Sequence, residues 1–216
     1  MVSAIPHRFI VVEGPIGVGK TSLARRLGQS LGAQLVLEQA DQNPFLERFY
    51  KNPRAAAFQT QLFFLFQRAR QLEDVRQEDL FGAVRVADYL LEKDRLFARV
   101  TLDDAEYALY ERVYERVVVD APKPDLVVYL QASPEVLFAR IQKRAVPMEL
   151  QIPDAYLRAL CDAYNDFFYH YDATPLLTVN AEHLNPLESD ADLALLIDRI
   201  ETMRGRKEFF VKGTSL

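Results

Sequence analysis

Short apolar runs alternate along the chain with longer stretches of helical periodicity. Runs of aliphatic and β-branched residues predict five strands, and the intervals between them are long enough for helices. This alternation is typical of a three-layer α/β domain, in which helices cover both faces of a parallel sheet. The predicted strands are Phe9–Val12, Gln34–Leu37, Ala83–Ala87, Asp125–Leu130 and Leu176–Val179.

The longest helical stretch, Pro53–Glu78, is apolar on more than one face. A four-three spacing gives it one apolar stripe, and further phenylalanines make other faces apolar as well. Such a helix is buried on two sides, and its second cover is either another subunit or the rest of a monomer; the pattern fits both. The phenylalanines outside the stripe are Phe63, Phe64 and Phe66.

The remainder of the chain predicts a single domain. Of its 216 residues, 50% are hydrophobic, and no linker divides them, so one domain over residues 1–216 is expected. A second periodic helix is predicted over 156–171. The final residues, 204–216, depart from the preceding helical pattern and predict a loose tail.

The first predicted strand leads into Gly14-x-x-x-x-Gly19-Lys20-Thr21, and a helix-forming stretch over Leu23–Leu31 follows. Strand, glycine-rich turn and helix together indicate a P-loop, whose backbone N–H groups converge on phosphate oxygens at the positive end of the helix dipole. Lys20 is expected to reach the β- and γ-phosphates of a nucleoside triphosphate, and the Thr21 hydroxyl to ligate Mg²⁺. The predicted phosphate-binding residues are Gly14, Pro15, Ile16, Gly17, Val18, Gly19, Lys20, Thr21 and Ser22.

Polar side chains that follow the other predicted strands are further candidates, because parallel sheets bind ligands beyond the carboxyl ends of their strands. Glu38, Asp88 and Asn180 occupy such positions. A basic helix end with Arg140 and Arg144 follows the fourth strand, and in small kinases such arginines belong to a lid that closes over the phosphates. The alternative for these two arginines is a solvated helix face, which the sequence favours less.

Charge and cysteine content narrow the class of protein. A formal net charge of −5 disfavours non-specific binding to nucleic acid, which requires a basic face. The single Cys161 excludes an internal disulfide and is expected to be a core thiol in a reducing compartment. The apolar run Phe9–Val12 is too short for a signal peptide or a membrane span, so the sequence predicts a cytoplasmic protein.

P-loops also occur in GTPase switches and ATPase motors, and the sequence lacks the other motifs of both. The guanine-reading Asn-Lys-x-Asp of a GTPase is absent, and Asp79-Leu-Phe-Gly82, which matches the Asp-x-x-Gly switch pattern, follows a polar stretch rather than a strand. No predicted strand ends in the Asp-Glu pair of a motor. The sequence therefore favours a small-molecule kinase.

Several stretches outside the P-loop carry a more specific signal in combination. With the P-loop they are Val12-Glu-Gly-Pro-Ile-Gly-Val-Gly-Lys-Thr-Ser22, Leu37-Glu38, Asn43-Pro-Phe-Leu-Glu-Arg-Phe-Tyr50, Phe58-Gln-Thr-Gln-Leu-Phe-Phe-Leu-Phe66, Ala87-Asp-Tyr-Leu-Leu-Glu-Lys-Asp-Arg-Leu-Phe-Ala98 and Tyr129-Leu-Gln-Ala-Ser-Pro134. Over about residues 8–200 the chain resembles the deoxynucleoside kinase family, most of all its bacterial deoxyadenosine/deoxyguanosine kinases. The resemblance implies transfer of the ATP γ-phosphoryl group to the 5′-hydroxyl of a deoxynucleoside, with purines preferred.

The resemblance also implies catalytic roles. Glu38 is expected to contact the 5′-hydroxyl as the general base, with Asp88 as the partner on the Mg²⁺ side, although the reverse assignment stays open. Lys20, together with Arg140 and Arg144 of a lid at about 140–153, is expected to stabilise the transferred charge. The loop at about 181–183 is expected to lie against the ATP adenine.

Further roles implied by the resemblance concern the substrate and the assembly. Tyr50 and Glu149 are expected to hold the 3′-hydroxyl, Gln59 and Asp94 to pair with the base, and Tyr89 to lie in the same site. Related kinases pair through the long helix and a neighbouring one. A homodimer through Pro53–Glu78 and Asp103–Val117 is therefore expected.

Two departures from the family pattern affect the phosphate clamp. The acidic-Arg-Ser triplet after the third strand reads Asp88-Tyr89-Leu90, so a tyrosine replaces the arginine, and Arg95 is a candidate substitute. The third lid arginine falls on Val146. Two alternatives remain: a nucleoside monophosphate kinase of the thymidylate kinase type, and a nucleotide-binding regulatory module that transfers no phosphate.

Overall fold

The computed structural model describes residues 6–78, 83–118 and 121–213, and these contain one parallel sheet. Its strands are β1 (Phe9–Glu13), β2 (Gln34–Val36), β3 (Arg85–Ala87), β4 (Leu126–Gln131), β5 (Leu176–Asn180) and β6 (Lys207–Phe210). They lie in the order β2-β3-β1-β4-β5-β6. The first five strands are the predicted ones, with ends shifted by a residue or two. Since β1 is central, the glycine-rich loop that follows it emerges at the middle of the sheet.

Helices cover both faces of this sheet, which confirms the predicted three-layer α/β fold. In the described part of the chain they are α1 (Lys20–Leu31), α2 (Leu46–Lys51), α3 (Pro53–Glu78), α4 (Lys93–Thr101), α5 (Asp104–Val117), α6 (Pro134–Arg144), α7 (Asp154–His170) and α8 (Asp190–Thr202). Short 3₁₀ turns occur at Ala40–Gln42 and Glu149–Gln151. None of the helices in these ranges combines the length and the apolar character that a membrane crossing would require.

Alternate residues of the central strands face two separate cores, as the period of two in a strand requires. In β4, Leu126 and Val128 face the layer of α1 and α8, whereas Val127 and Tyr129 face the layer of α4 and α7. The side chains that complete the first core include Leu23, Leu27, Leu196 and Ile200. Those that complete the second core include Leu96, Leu160, Tyr164 and Phe168.

The end of the chain differs from the predicted loose tail. Residues 207–210 form β6, which pairs in parallel with β5. The Glu208 carboxylate accepts hydrogen bonds from the backbone N–H groups of Arg204 and Gly205 and forms an ion pair with Arg199. Phe210 packs against the first core. The sheet therefore has a sixth strand, which a sequence search for long apolar runs misses because β6 is short and half charged.

The long helix α3 has the predicted bounds and packs against α2, α4 and α5. Its buried stripe, with members three or four residues apart, faces the interior, while Phe66 on another face is 53% exposed. The buried stripe is Ala57, Gln61, Phe64, Arg68 and Leu72. The segment Asp79-Leu-Phe-Gly82, which matches the Asp-x-x-Gly switch pattern, lies outside the described residues.

Candidate active site

The P-loop connects the central strand β1 to helix α1 through three glycines with left-handed or otherwise positive φ. Gly14, Gly17 and Gly19 have φ angles of 151°, 86° and 101°, which disfavour any side chain. A Cβ on Gly14 would lie 2.5 Å from the Leu130 carbonyl oxygen. The loop can therefore follow this path only with glycine at these positions.

The P-loop lysine is held inside its own loop. Lys20 Nζ donates to the carbonyl oxygens of Gly14 at 2.7 Å and Pro15 at 3.2 Å. Burial lowers the pKa of Lys20, and the nearby ammonium of Lys93 lowers it further. A bound phosphate would raise the pKa of Lys20 again, because its negative charge would offset both the burial of the ammonium and its repulsion by Lys93.

A cavity of about 300 Å³ lies on one side of the P-loop, between the end of α6 and the loop after β5. We call it the donor cavity. Arg140 binds there to the carbonyl oxygens of Ala181 at 2.6 Å and Val18 at 3.4 Å. Its walls include Gly17, Val18, Gly19, Ser22, Arg140, Arg144, Ala181, Glu182 and residues 184–188. The predicted P-loop, lid arginines and post-β5 loop thus meet around one space, to which the loop contributes residues beyond 181–183.

A second, smaller cavity of about 70 Å³ lies on the other side of the P-loop, and we call it the acceptor cavity. Ile16 and Lys20 lie in its wall, so the loop separates the two cavities. The other wall residues come from α2, α3, α4 and α7 and from the segment after β2. They include Glu38, Phe49, Tyr50, Thr60, Gln61, Phe64, Arg68, Lys93, Phe97 and Tyr156.

Glu38 lies in the wall of the acceptor cavity between two cations. Arg68 Nε donates to Glu38 Oε1 at 2.8 Å, and Lys93 Nζ lies 3.1 Å from the same oxygen. Burial alone raises the pKa of Glu38, but the attraction of Arg68 and Lys93 outweighs it and holds this pKa well below the ordinary value. Glu38 is therefore ionised at neutral pH.

Asp88 follows β3 and connects the P-loop to the segment that carries Glu38. Its Oδ2 accepts a hydrogen bond from the Thr21 hydroxyl, and its Oδ1 accepts one from the Glu38 backbone N–H at 2.7 Å. A hydroxyl and a carboxylate side by side are oxygen ligands of the kind that Mg²⁺ takes beside phosphates. In the described ranges, no group of three or more His, Cys, Asp or Glu side chains could hold a metal ion.

Asp94 is fully buried and pairs with Arg68, which thus joins it to Glu38. Burial raises the pKa of Asp94 to about 6, and the opposing attraction of Arg68 does not restore the ordinary value. One carboxylate oxygen, Oδ2, has no hydrogen-bond partner among the described residues. Beyond Asp94, the guanidinium of Arg68 lies 4.7 Å over the Phe64 ring, so the Arg68 side chain is fixed on every side.

The glutamine that faces the acceptor cavity is Gln61, and not the predicted Gln59. Gln59 is exposed and does not line this cavity, because two residues on an α-helix rotate the side chain by about 200°. Gln61 is buried in the cavity wall, and its Oε1 has no hydrogen-bond partner in the described part of the chain. The same holds for the Thr60 hydroxyl.

The other predicted substrate residues are partly brought together. Tyr50 lines the acceptor cavity, where burial and the nearby carboxylate of Glu149 raise its pKa. Glu149 itself is paired with Arg144, which reaches it from the end of α6. Tyr89 is buried outside this cavity, where its ring lies 5.9 Å from the Arg68 guanidinium. Its backbone lies beside the site, but its hydroxyl does not reach the cavity.

Arg95 does not replace the missing arginine of the clamp. It is half-exposed, pairs with Glu111 at 3.0 Å and lies 4.2 Å over the Tyr114 ring. The cations at Glu38 are Arg68 and Lys93, neither of which the sequence analysis identified. The sequence signals for them were positional: Arg68 shares a helix face with Gln61, and Lys93 directly precedes the Asp94-Arg95 pair.

Comparison with known proteins agrees with this geometry. The family model for deoxynucleoside kinase matches residues 10–203. The deoxyguanosine kinase of Bacillus subtilis (strain 168) is 39% identical over 173 residues, which cover 79% of this chain and 84% of that protein. The deoxyadenosine/deoxycytidine kinase of the same organism is 29% identical and covers 91% and 93% of the two chains.

Solved structures show the same fold. The structure of deoxyadenosine kinase from M. mycoides with bound dATP superimposes with a TM-score of 0.78 at 27% identity, and it covers 89% of this chain and 98% of that one. These relatives support a deoxynucleoside kinase over the monophosphate kinase and the regulatory module that the sequence left open. The chain belongs to the deoxynucleoside kinase family.

Proposed function

We propose that this protein transfers the γ-phosphoryl group of ATP to the 5′-hydroxyl of a purine deoxynucleoside. The observation that carries the proposal is the position of Glu38, which lines the acceptor cavity together with Lys20 of the P-loop. A carboxylate suits a neutral hydroxyl that must lose a proton. It would repel the phosphate of a nucleoside monophosphate.

In the proposed reaction, the 5′-oxygen attacks the γ-phosphorus while the bond to the β,γ-bridging oxygen breaks and ADP leaves. Glu38 accepts the proton of the 5′-hydroxyl. Its lowered pKa makes it a weak base, which suits a loose transition state in which the nucleophile needs little activation. Lys20, Arg140 and Arg144 would neutralise charge on the phosphates. Glu38 is preferred to Asp88 as the base because Glu38 lines the acceptor cavity, whereas Asp88 does not and binds the Thr21 hydroxyl and the Glu38 backbone N–H.

Thr21 and Asp88 are the residues that would hold Mg²⁺. Their oxygens are already in contact, and Thr21 begins the first turn of α1 directly beside the phosphate-binding loop. When bound, the ion would screen the charge of the β- and γ-phosphates and lower the barrier to phosphoryl transfer. The proposed ligand set leaves the remaining positions to water and phosphate oxygens, as is usual for this ion.

Within the purines we propose deoxyguanosine as the preferred acceptor and deoxyadenosine as the second. Two side chains in the wall of the acceptor cavity, Gln61 and Thr60, have oxygens without a hydrogen-bond partner among the described residues, and Asp94, which is paired with Arg68 of the same wall, has a third such oxygen, Oδ2. Guanine offers two neighbouring donors, N1–H and the N2 amino group, whereas adenine offers one amino group. The deoxyguanosine kinase relative at 39% identity supports the same order. Tyr50 and Glu149 would bind the 3′-hydroxyl.

A coupled assay of ADP release over the four deoxynucleosides tests the proposal. Deoxyguanosine is expected to give the highest kcat/KM, deoxyadenosine the next, and thymidine the lowest. Lys20→Ala is expected to lower kcat by at least ~10²-fold, as loss of a charged donor to the transition state does. Turnover of a nucleoside monophosphate in place of the nucleosides would overturn the proposal.

The proposed assembly is a two-fold homodimer through α3 and α5. These helices pack against each other and each presents a large apolar side chain, Phe66 at 53% and Leu109 at 51% exposure. Neighbouring exposed apolar groups of this size mark interaction surfaces. We further propose that the enzyme acts in the cytoplasm, where ATP is available and the buried Cys161 remains a thiol, and that nucleic acid is not among its partners.

A further inference from the structure

The family resemblance leaves one position of the phosphate clamp without its arginine. The triplet at 88–90 places Tyr89 where an arginine is expected, and the Tyr89 ring is buried outside the acceptor cavity. Arg95 points to Glu111 on the far side of α4. A transferring phosphoryl group nevertheless carries negative charge on its equatorial oxygens, and kinases place a cation against it.

Lys93 occupies the space that this cation would need. It is the first residue of α4, only 2% exposed, and lines the acceptor cavity together with Lys20 and Glu38. Its Nζ lies 3.1 Å from Glu38 Oε1 and 3.9 Å from Glu13 Oε2. The rings of Tyr89 and Phe97, at 5.9 Å and 6.0 Å from Nζ, enclose it from behind. The ammonium is thereby directed at the carboxylate that meets the 5′-hydroxyl.

We propose that Lys93 is a catalytic residue whose ammonium contacts the 5′-oxygen and the transferring γ-phosphoryl group, in the role that the family resemblance gives to an arginine at the position of Tyr89, four residues earlier. The proposal rests on the phosphoryl transfer put forward above. An oxygen that gives its proton to Glu38 lies about 2.6–3.2 Å from that carboxylate. It is therefore within reach of an ammonium bound to the same carboxylate.

The other cations leave this role to Lys93. Arg68 is fixed by Glu38, Asp94 and the Phe64 ring, so it cannot turn toward a phosphate without breaking two buried ion pairs. Lys20 is held by the carbonyl oxygens of Gly14 and Pro15, and its proposed role is to bind the β- and γ-phosphates of ATP. Lys93 has three N–H donors, and the only hydrogen-bonded side chain it has within the described ranges is Glu38. Two donors remain for the substrate.

The step balances without any further reactant. The bond from O5′ to the γ-phosphorus forms, the bond to the β,γ-bridging oxygen breaks, and the proton of the 5′-hydroxyl moves to Glu38. Lys93 keeps its own protons and contributes charge. As Glu38 becomes neutral, the ammonium loses its anionic partner, and the new phosphate monoester supplies another. The charge of Lys93 is thus matched both before and after transfer.

Three substitutions separate a catalytic Lys93 from one that only positions Glu38. Lys93→Gln can still donate a hydrogen bond to Glu38 but carries no charge, Lys93→Met can do neither, and Lys93→Arg keeps the charge. We expect Gln and Met to lower kcat by at least ~10²-fold with the KM for deoxyguanosine changed only a few-fold, and Arg to recover most of kcat. Lys51→Met is the matched control, since Lys51 is exposed and its ion pair is with the exposed Glu47.

Calorimetry with a phosphoryl mimic gives a readout that a positioning role would not change. Wild type and Lys93→Gln are titrated with ADP, Mg²⁺ and aluminium fluoride in the presence of deoxyguanosine, and separately with deoxyguanosine alone. We expect the glutamine variant to lose at least ~10-fold in affinity for the mimic and little for the nucleoside. Near-normal kcat for Lys93→Gln, or equal affinity of both proteins for the mimic, would overturn the proposal. If wild type phosphorylates no deoxynucleoside, the proposed function fails instead.

Discussion

At the scale of single residues, the site consists of a buried chain of charges rather than of separate groups. Arg68 links Glu38 to Asp94, Lys93 binds Glu38, and Asp88 holds the backbone beside Glu38. Each buried charge therefore has a partner, as burial away from water requires. The general base, the cations at the phosphate and the residues expected to bind the nucleobase therefore contact one another, so a shift of one side chain is expected to move the others.

The two glutamines of α3 give a direct test of this residue assignment. Gln61→Ala should lower kcat/KM for deoxyguanosine by roughly 10- to 100-fold, because buried hydrogen bonds to the base are lost. Gln59→Ala, two residues away on the exposed face, should leave it unchanged. Steady-state kinetics on both variants decides between them. A loss confined to Gln59→Ala would return the role to the residue that the sequence suggested.

The raised pKa of Asp94 predicts a distinct dependence of stability on pH. Its ordinary value is 3.8 and its value in the folded protein is about 6, so the folded state binds the proton more tightly. This contribution to the free energy of unfolding is present below about 3.8 and is lost as the pH rises through about 6. Glu38 acts in the opposite direction: its contribution exists above its ordinary pKa and is lost as the pH falls.

Urea unfolding of wild type and Asp94→Asn measures the difference. As the pH rises from about 4 to about 7, the variant should gain stability relative to wild type, because it lacks the group that disfavours the higher pH. The control is Asp41→Asn, which also removes one carboxylate but at an exposed position. Gln39→Glu would not serve as a control, because it adds a charge near the site. A stability difference that does not change with pH would show that Asp94 has no raised pKa.

What the sequence could predict at this scale depended on how local the signal is. The P-loop is fixed by its own glycines and by the adjoining strand and helix, so the sequence predicted its position between β1 and α1. Gln61 and Lys93 depend on which face of α3 points inward and on where α4 begins, and both are set by packing between distant segments. Arg68 lies seven residues beyond Gln61 on the same helix face, so it could have been identified only once Gln61, rather than Gln59, was known to face inward.

At the scale of elements, the five strands were predictable because each lies in a predominantly apolar run, even where the strand itself has only three residues, and the long helix was predictable from its periodicity. The sixth strand was not, since its four residues, Lys207–Phe210, alternate in burial and contain two charges. Its pairing comes from the exposed edge of β5 and from Glu208, which receives three polar partners. Short edge strands of this kind are defined by the sheet they join.

Truncation tests whether β6 is structural. A chain ending at Met203 should melt roughly 5 °C or more below the full chain, because it loses a strand pair, the Arg199–Glu208 ion pair and the packing of Phe210. A chain ending at Gly213 keeps β6 and serves as the control. Circular dichroism melts of the three proteins provide the comparison. Equal melting temperatures would mean that the segment is the loose tail of the sequence prediction.

At the scale of the whole molecule, the two cavities lie on opposite sides of one loop, and in the proposed reaction the phosphoryl group passes between them beside Lys20. The empty acceptor cavity, about 70 Å³, is far smaller than the roughly 300–1,000 Å³ of ordinary ligand pockets. Nucleoside binding must therefore widen it. We expect α2 and the connection 145–153 to move together when the nucleoside binds, because they carry the neighbouring groups Tyr50 and Glu149.

The proposed dimer is tested on the exposed face of α3. Light scattering at micromolar concentration should give twice the 24.8 kDa of one chain for wild type. Phe66→Glu should shift the mass toward one chain, because a carboxylate would be buried in an apolar interface. Phe209→Glu, at an even more exposed phenylalanine on β6, should not. Phe64, which the sequence also offered, is unsuitable because it is buried against Arg68 in the acceptor cavity. A single-chain mass for wild type would refute the dimer.

The central claim is that phosphate moves from ATP to the 5′-oxygen of a purine deoxynucleoside, and ³¹P NMR of the reaction observes this transfer directly. With ATP, Mg²⁺ and deoxyguanosine, the γ-phosphate signal should fall while a monoester signal rises, split into a triplet by the two 5′ protons. Glu38→Gln should slow this conversion by about 10²–10⁴-fold, the usual contribution of a general base. A doublet from a 3′-monophosphate, or release of inorganic phosphate without a monoester, would contradict the account.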